Sequence, residues 1–124
     1  MNADLKIATE QIQRQGKQTA TVFHLRGWLD GQSEAQFQTA AEEAYAAGAR
    51  FLVLDLAEVD TLTSAGMRAI QRVYVQFTGS QNNARMKLCS APPQVYHVLG
   101  LTGFLQSMPM YENLQAALDS FQDE

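Results

Sequence analysis

The stretch whose residue types and spacing come closest to a reaction is Thr61-Leu62-Thr63-Ser64-Ala65-Gly66-Met67-Arg68. It follows the apolar run Phe51-Leu52-Val53-Leu54 and sets two hydroxyl side chains at the start of an amphipathic segment. At a helix start the first amides have no acceptor within the helix and the positive end of the dipole faces outward. A hydroxyl at such a junction usually just caps, because Ser and Thr are preferred N-caps for structural reasons alone. Ala65 and Gly66 are small, and glycine is a poor helix former, so the first turn is expected to be bare and Ser64 open to another protein.

The other candidates carry less. A nucleophilic triad needs a base beside an activated Ser or Cys. His24 falls in the middle of a strand pattern and His97 in a helical segment beside Val98 and Leu99, and both read as structural histidines short of polar company, His97 partly buried. Asp55, Glu58 and Asp60 cluster where the apolar run ends and read as a solvated loop, without the Asp/Asn/Gly pattern of a calcium loop. Two distant histidines and one cysteine leave zinc too few ligands. No metal and no cofactor is expected, no glycine-rich phosphate loop is present, and Ser64 lacks the base and oxyanion partner of an esterase or phosphatase, so the chain reads as a non-enzyme.

Composition narrows the class further. The 124 residues, 46% of them hydrophobic, suit a single domain, 1–124, with one core. Nine basic against thirteen acidic side chains give a net charge of -4, without the basic excess that holds a polyanion, so nucleic acid is not an expected partner. The start, Met1-Asn2-Ala3-Asp4-Leu5-Lys6, lacks a basic, then apolar leader, and the apolar run is far too short to span a bilayer. A cytoplasmic protein without membrane insertion is expected, and lone Cys89 agrees with a reducing compartment.

Positioning Ser64 requires a sheet and helices around it. Leu5 to Ile12 and Thr19 to Arg26 alternate as strands around a polar turn at Gly16, the second ending at Gly27. Ser33 and Gln36 have capping-box spacing before an alanine-rich helix, with Phe37, Ala40, Ala41, Ala44 and Tyr45 on one stripe and Gly48 as its stop. Phe51 to Leu56 reads as a central strand covered on both faces, which demands helices on each side. After a polar loop, Ser64 to Thr78 carries Met67, Ile70, Tyr74 and Phe77 at helical spacing, closed by Gly79. Met86 to Cys89 predicts a strand, Pro92-Pro93 opens a helix that Gly100 ends, Ser107 to Tyr111 is a short strand, and Asn113 caps a last helix to Phe121. The order ββαβαβαβα is that of an α/β sandwich with a mixed sheet and about four helices.

With these elements in place the chain resembles the STAS domains (sulphate transporter and anti-sigma factor antagonist). Gly27-Trp28-Leu29-Asp30 looks like the end of their second strand, and Leu54-Asp55-Leu56 with Thr63-Ser64-Ala65-Gly66-Met67-Arg68 looks like their signature strand, loop and helix start. Val98-Leu99-Gly100-Leu101-Thr102-Gly103-Phe104 and Ala116-Ala117 continue the likeness, which runs from about Leu5 to Phe121. Hydropathy disfavours the transporter branch, so the resemblance implies a stand-alone anti-sigma factor antagonist that works by partner switching. It further implies that Ser64 is the phosphoacceptor of an anti-sigma factor serine kinase of the histidine-kinase-like ATPase type, that a serine phosphatase reverses the mark, and that Asp30 lies near Ser64 and helps engage the kinase. Thr63 stands where many members have Asp, and is expected to be a cap or a second acceptor.

Arg68 and Arg72 follow Ser64 at i+4 and i+8 on one helix face and are expected to meet the partner, Arg68 pairing with phosphoserine. Asp30, Thr63, Ala65, Gly66, Met67, Arg68 and Arg72 are thus the expected partner-binding set, with Trp28 a further candidate contact. The competing expectation is a constitutive scaffold subunit of a larger complex, such as a lipid-transport ATPase, in which Ser64 only touches its neighbour.

Overall fold

The computed structural model describes residues 4–14, 16–79, 83–101, 103, 108 and 110–121. Its elements are β1 (Lys6–Ile12), β2 (Ala20–Leu29), α1 (Glu34–Ala46), β3 (Phe51–Leu62), α2 (Ser64–Thr78), β4 (Arg85–Cys89), α3 (Pro93–Leu101), β5 (Met110–Tyr111) and α4 (Leu114–Asp119). This is the expected ββαβαβαβα order. The five strands lie in sequence order across one sheet, with β1 antiparallel to β2 and the remaining neighbours parallel.

Each face of the sheet is covered differently. Leu52, Leu54 and Leu56 of β3 point into a core shared with Phe37 and Ala41 of α1, Met67, Ile70, Val73 and Phe77 of α2, and Val95 and Leu99 of α3. Val53 and Phe51 point the other way, with Ala20, Val22 and Cys89, and meet Ala117, Leu118 and Phe121 at the C-terminal helix. Phe51 and Phe121 stack there at 4.6 Å between centroids. Among the described residues α4 is the only helix on this face, and it covers one end only.

The largest departure from expectation is the segment read as a polar loop after Leu56, and with it the loop reading of Asp55, Glu58 and Asp60. It continues as strand to Leu62, pairing Arg26 with Glu58, Gly27 with Val59, Trp28 with Thr61 and Leu29 with Leu62. At two places, opposite His24/Arg26 and Gly27/Trp28, β3 spends one residue more than β2. Each bulge shifts the side-chain alternation by one, so the residues that reach the core after Leu56 are Val59 and Leu62, at a spacing of three rather than two. For the same reason β2 does not end at Gly27: at φ +100° that glycine carries the strand through to Leu29.

Smaller corrections have local causes. Gln36 does not close a capping box with Ser33, because its amide donates to the Leu5 carbonyl at 3.0 Å and Ser33 makes no side-chain cap bond. Gly100 lies inside α3 rather than ending it, and β4 starts one residue earlier, at Arg85. Asn113 caps α4 as expected, accepting from the Ala116 amide at 2.8 Å. Of the strand expected over Ser107 to Tyr111, Met110 and Tyr111 are observed, while Ser107 and Pro109 lie outside the described residues, as do Thr102 and Phe104 of the motif after α3.

Candidate functional site

The ends of β2 and β3 lie side by side, and the chain leaves each of them into a helix. Leu29 is the hinge of the arrangement. Its carbonyl accepts from the Thr63 amide at 3.1 Å, which ties the end of β2 to the start of α2. A Cβ on Gly66 would stand 2.0 Å from that same carbonyl oxygen and 3.0 Å from Leu62 Cδ1. Gly66 is therefore a contact point between helix and sheet, and the helix can start this close to β2 only with no side chain there.

Thr63 is the N-cap of α2, its hydroxyl oxygen accepting from the Gly66 amide at 3.1 Å. With the cap supplied by Thr63, Ser64 is left exposed at the first helical position, and its hydroxyl makes no hydrogen bond among the described residues. Its surroundings suit an added anion, since the first amides of the helix have no acceptor within it and the first turn carries no acidic side chain.

The rest of the expected partner set separates into distinct environments. Ala65 is half-buried, and Gly31, at the turn after β2, faces it closely enough that a Cβ on the glycine would lie 3.6 Å away. The turn that holds Asp30 therefore adjoins the start of α2. Asp30 is a turn residue: its Oδ1 accepts from the Gln32 and Ser33 amides, each at 3.1 Å. Gly66 and Met67 are buried against the sheet, so they shape the surface from beneath rather than line it. Arg72 is held by Glu34 of α1 in an ion pair, and the face it was expected to share as a free docking cation is reduced to Arg68. Arg68 is exposed and has no ion pair among the described residues. Trp28 is 36% exposed at the end of β2 and lines an open groove of about 620 Å³ with Asp4, Leu5, Lys6, Asp30 and Gln36.

The histidines and the cysteine also differ from the sequence reading. His97 is exposed, not partly buried. His24, far from short of polar company, has Nδ1 2.7 Å from Asp55 Oδ2 and Nε2 2.7 Å from Glu10 Oε1. Burial alone would lower its pKa, but the hydrogen bonds to Glu10 and Asp55 and their charges outweigh this and raise it above 6.5. The missed signal was Asp55, a carboxylate within the apolar run from Phe51 to Leu56, where a partner is required. Cys89 is fully buried, and burial pushes its thiol up to about 11, with the Asp55 charge adding to this and a hydrogen bond with Ser90 opposing it. A thiol so disposed stays protonated and is no nucleophile. Among the described residues no group of three or more His, Cys, Asp or Glu side chains is placed to hold a metal ion. None of their helices is long and apolar enough to cross a membrane.

A mixed sheet that seats α2 through a glycine contact, with an exposed hydroxyl at that helix's first residue, makes this an α/β domain with a parallel sheet centre and an antiparallel edge. The STAS domain family matches residues 11–117, and the chain belongs to that family. It is 30% identical, over 78% of its own length and 82% of the relative's, to BtrV of Bordetella bronchiseptica, described as an anti-sigma factor antagonist. An anti-sigma factor antagonist from Mycobacterium paratuberculosis superimposes with a TM-score of 0.77 at 23% identity, covering 95% of this chain and 96% of that one. The Bacillus cell fate determinant SpoIIAA in its phosphorylated form superimposes with a TM-score of 0.68 at 17% identity, covering 94% of this chain and 100% of that one. At these identities the two structures establish the STAS fold.

Proposed function

We propose that this protein is an anti-sigma factor antagonist in a cytoplasmic partner-switching pathway. It binds an anti-sigma factor serine kinase of the histidine-kinase-like ATPase type and is released when that kinase phosphorylates Ser64. The observation that carries this reading is the division of labour at the start of α2: Thr63 caps the helix, so the exposed Ser64 hydroxyl is not needed by the fold. The relative described as an anti-sigma factor antagonist supports the same reading.

In the transfer, Ser64 Oγ takes the γ-phosphoryl group of ATP bound to the kinase, loses its proton and leaves ADP behind. A serine phosphatase hydrolyses the ester to inorganic phosphate and restores the hydroxyl. The phosphate brings about -1.5 to -2 charges and three acceptor oxygens to one point of the docking face, enough to reverse binding by repulsion and desolvation without refolding. The amides at the helix start and Arg68 one turn on, which has no ion pair among the described residues, accommodate that charge, so the domain keeps its structure. Asp30, Thr63 and Ala65 frame the serine, and Gly66 and Met67 set the helix beneath it.

The test is to recover the protein from its host with its partners, using wild type, Ser64→Ala and Ser64→Asp, and to map phosphate by peptide mass spectrometry. The switch requires phosphate on Ser64 only in the fraction free of an ATPase-type kinase, and at least about tenfold weaker kinase binding by Ser64→Asp, a loss of about 1.4 kcal/mol. Equal binding by all three forms, with Ser64 unmodified throughout and a stoichiometric transporter or scaffold subunit attached, would sink the switch and leave the constitutive scaffold.

A further inference from the structure

On the sheet face that α4 leaves open, three strands meet through one imidazole. Glu10 belongs to β1, His24 to β2 and Asp55 to β3, and His24 stands directly opposite Asp55 in the strand register. β1 is an edge strand, bonded to β2 alone, and most of its residues are exposed. We propose that Glu10, His24 and Asp55 form a proton-dependent clamp that fastens this edge strand to the centre of the sheet, closed when the imidazole carries both N–H groups and loosened when it loses one.

The geometry carries the inference. Both ring nitrogens lie 2.7 Å from a carboxylate oxygen. A neutral imidazole has a single N–H, so one of these contacts would set a nitrogen lone pair against a carboxylate oxygen, whereas the imidazolium donates to both. Asp55 is not free to turn aside, because its second oxygen, Oδ1, accepts from the Ala57 amide at 3.0 Å at the first bulge of β3. Deprotonation is therefore felt by Glu10, the more exposed of the two carboxylates and the one that belongs to the edge strand.

The neighbouring charges leave this logic intact. Lys6 of β1 and Glu58 of β3 lie on the same groove, and Arg26 of β2 pairs with Glu58 at 3.6 Å. Across β3, Cys89 of β4 stands opposite Asp55 in register and stays uncharged at neutral pH, its thiol being pushed up to about 11. At the end of the face that α4 covers, Lys87 is bonded to Ser120 at 2.9 Å, and Asp119 is bonded to Gln115 on its own helix. The His24 value is raised, so the sign follows: the clamp is fully present below about pH 6.5 and is lost as pH rises through the higher folded value.

Side-chain NMR titration and amide exchange on the full chain test the clamp. His24 is expected to titrate above 6.5, and Glu10→Gln, a change at a surface position that the fold tolerates, to lower that value. Exchange of β1 amides, corrected for its intrinsic pH dependence, is expected to rise through the same range by about tenfold for each unit separating the clamped and opened pKa values. β4 amides should not follow, and Glu10→Gln should flatten the β1 profile. A His24 that titrates at or below 6.5, or β1 protection that stays constant across its titration, overturns the clamp.

Discussion

Ser33 and Ser64 stand at the starts of neighbouring helices at the same end of the sheet, and the fold uses them in opposite ways. Ser33 is buried, its hydroxyl accepting from the Asp30 amide at 3.0 Å and reaching the Trp28 carbonyl at 3.0 Å, with the Asp30 carboxylate 3.1 Å away. Ser64 is exposed and its hydroxyl is bonded to nothing among the described residues, because its predecessor, Thr63, already caps the helix. A buried hydroxyl must be satisfied, and once satisfied it is closed to a kinase. An accessible hydroxyl at a helix start is available when another residue supplies the cap. The comparison therefore separates structural from displayed serines by what each is bonded to, where residue type and position alone do not.

The strongest way to break the comparison is to unseat α2. Gly66→Ala would push a methyl into the Leu29 carbonyl, a backbone atom that cannot swing aside, and overpacking of this kind costs about 3 kcal/mol. Chemical denaturation measures the loss, and Gly100→Ala, at a helical glycine with open space around its Cβ, is the control and should be neutral or slightly stabilising. If both alanines are tolerated alike, α2 is not held against β2 in the way described, and Ser64 has no fixed position to display.

The paired test compares the serines directly. Ser33→Ala takes the buried hydroxyl away from the Asp30 amide and the Trp28 carbonyl, at a cost of about 2 kcal/mol. Ser64→Ala removes no bond, and its unfolding free energy should stay within about 0.5 kcal/mol of wild type, as for ordinary surface changes. Equal losses at the two positions would mean that Ser64 also serves the fold.

How much of this was legible before the structure depends on whether a signal is local. The start of α2 at Ser64 and its end at Thr78, and the Asn113 cap, rest on residues within four positions of one another and were read correctly. What misled was long-range. Ser33 and Gln36 have the spacing of a capping box, yet their bonds go to Trp28, Asp30 and Leu5, and the Leu5 carbonyl is brought to Gln36 only by the pairing of β1 with β2. The outer half of β3 looked like a loop because two bulges broke its alternation, and bulges are defined by the partner strand. His24 looked solitary because Glu10 and Asp55 are distant in sequence and converge only in the sheet. The candidate site was visible as a motif around Ser64, but which hydroxyl caps and which is displayed required the hydrogen bonds.

The smallest expected loss of stability at a capping residue tests that last division. Thr63→Ala should cost about 1 kcal/mol, the usual price of an N-cap whose oxygen satisfies a first-turn amide. Thr63→Asp should recover that loss, since aspartate caps at least as well and its charge suits the positive end of α2. The two variants then separate the cap from the switch. If Thr63 acts through the helix alone, kinase-dependent phosphorylation of Ser64, followed by mass spectrometry, should fall with Thr63→Ala and return with Thr63→Asp, in step with stability. If phosphate instead appears at residue 63 in wild type and the signal is lost in both variants, Thr63 is the acceptor. The contrast between a capping and a displayed hydroxyl would then have to be redrawn one residue earlier.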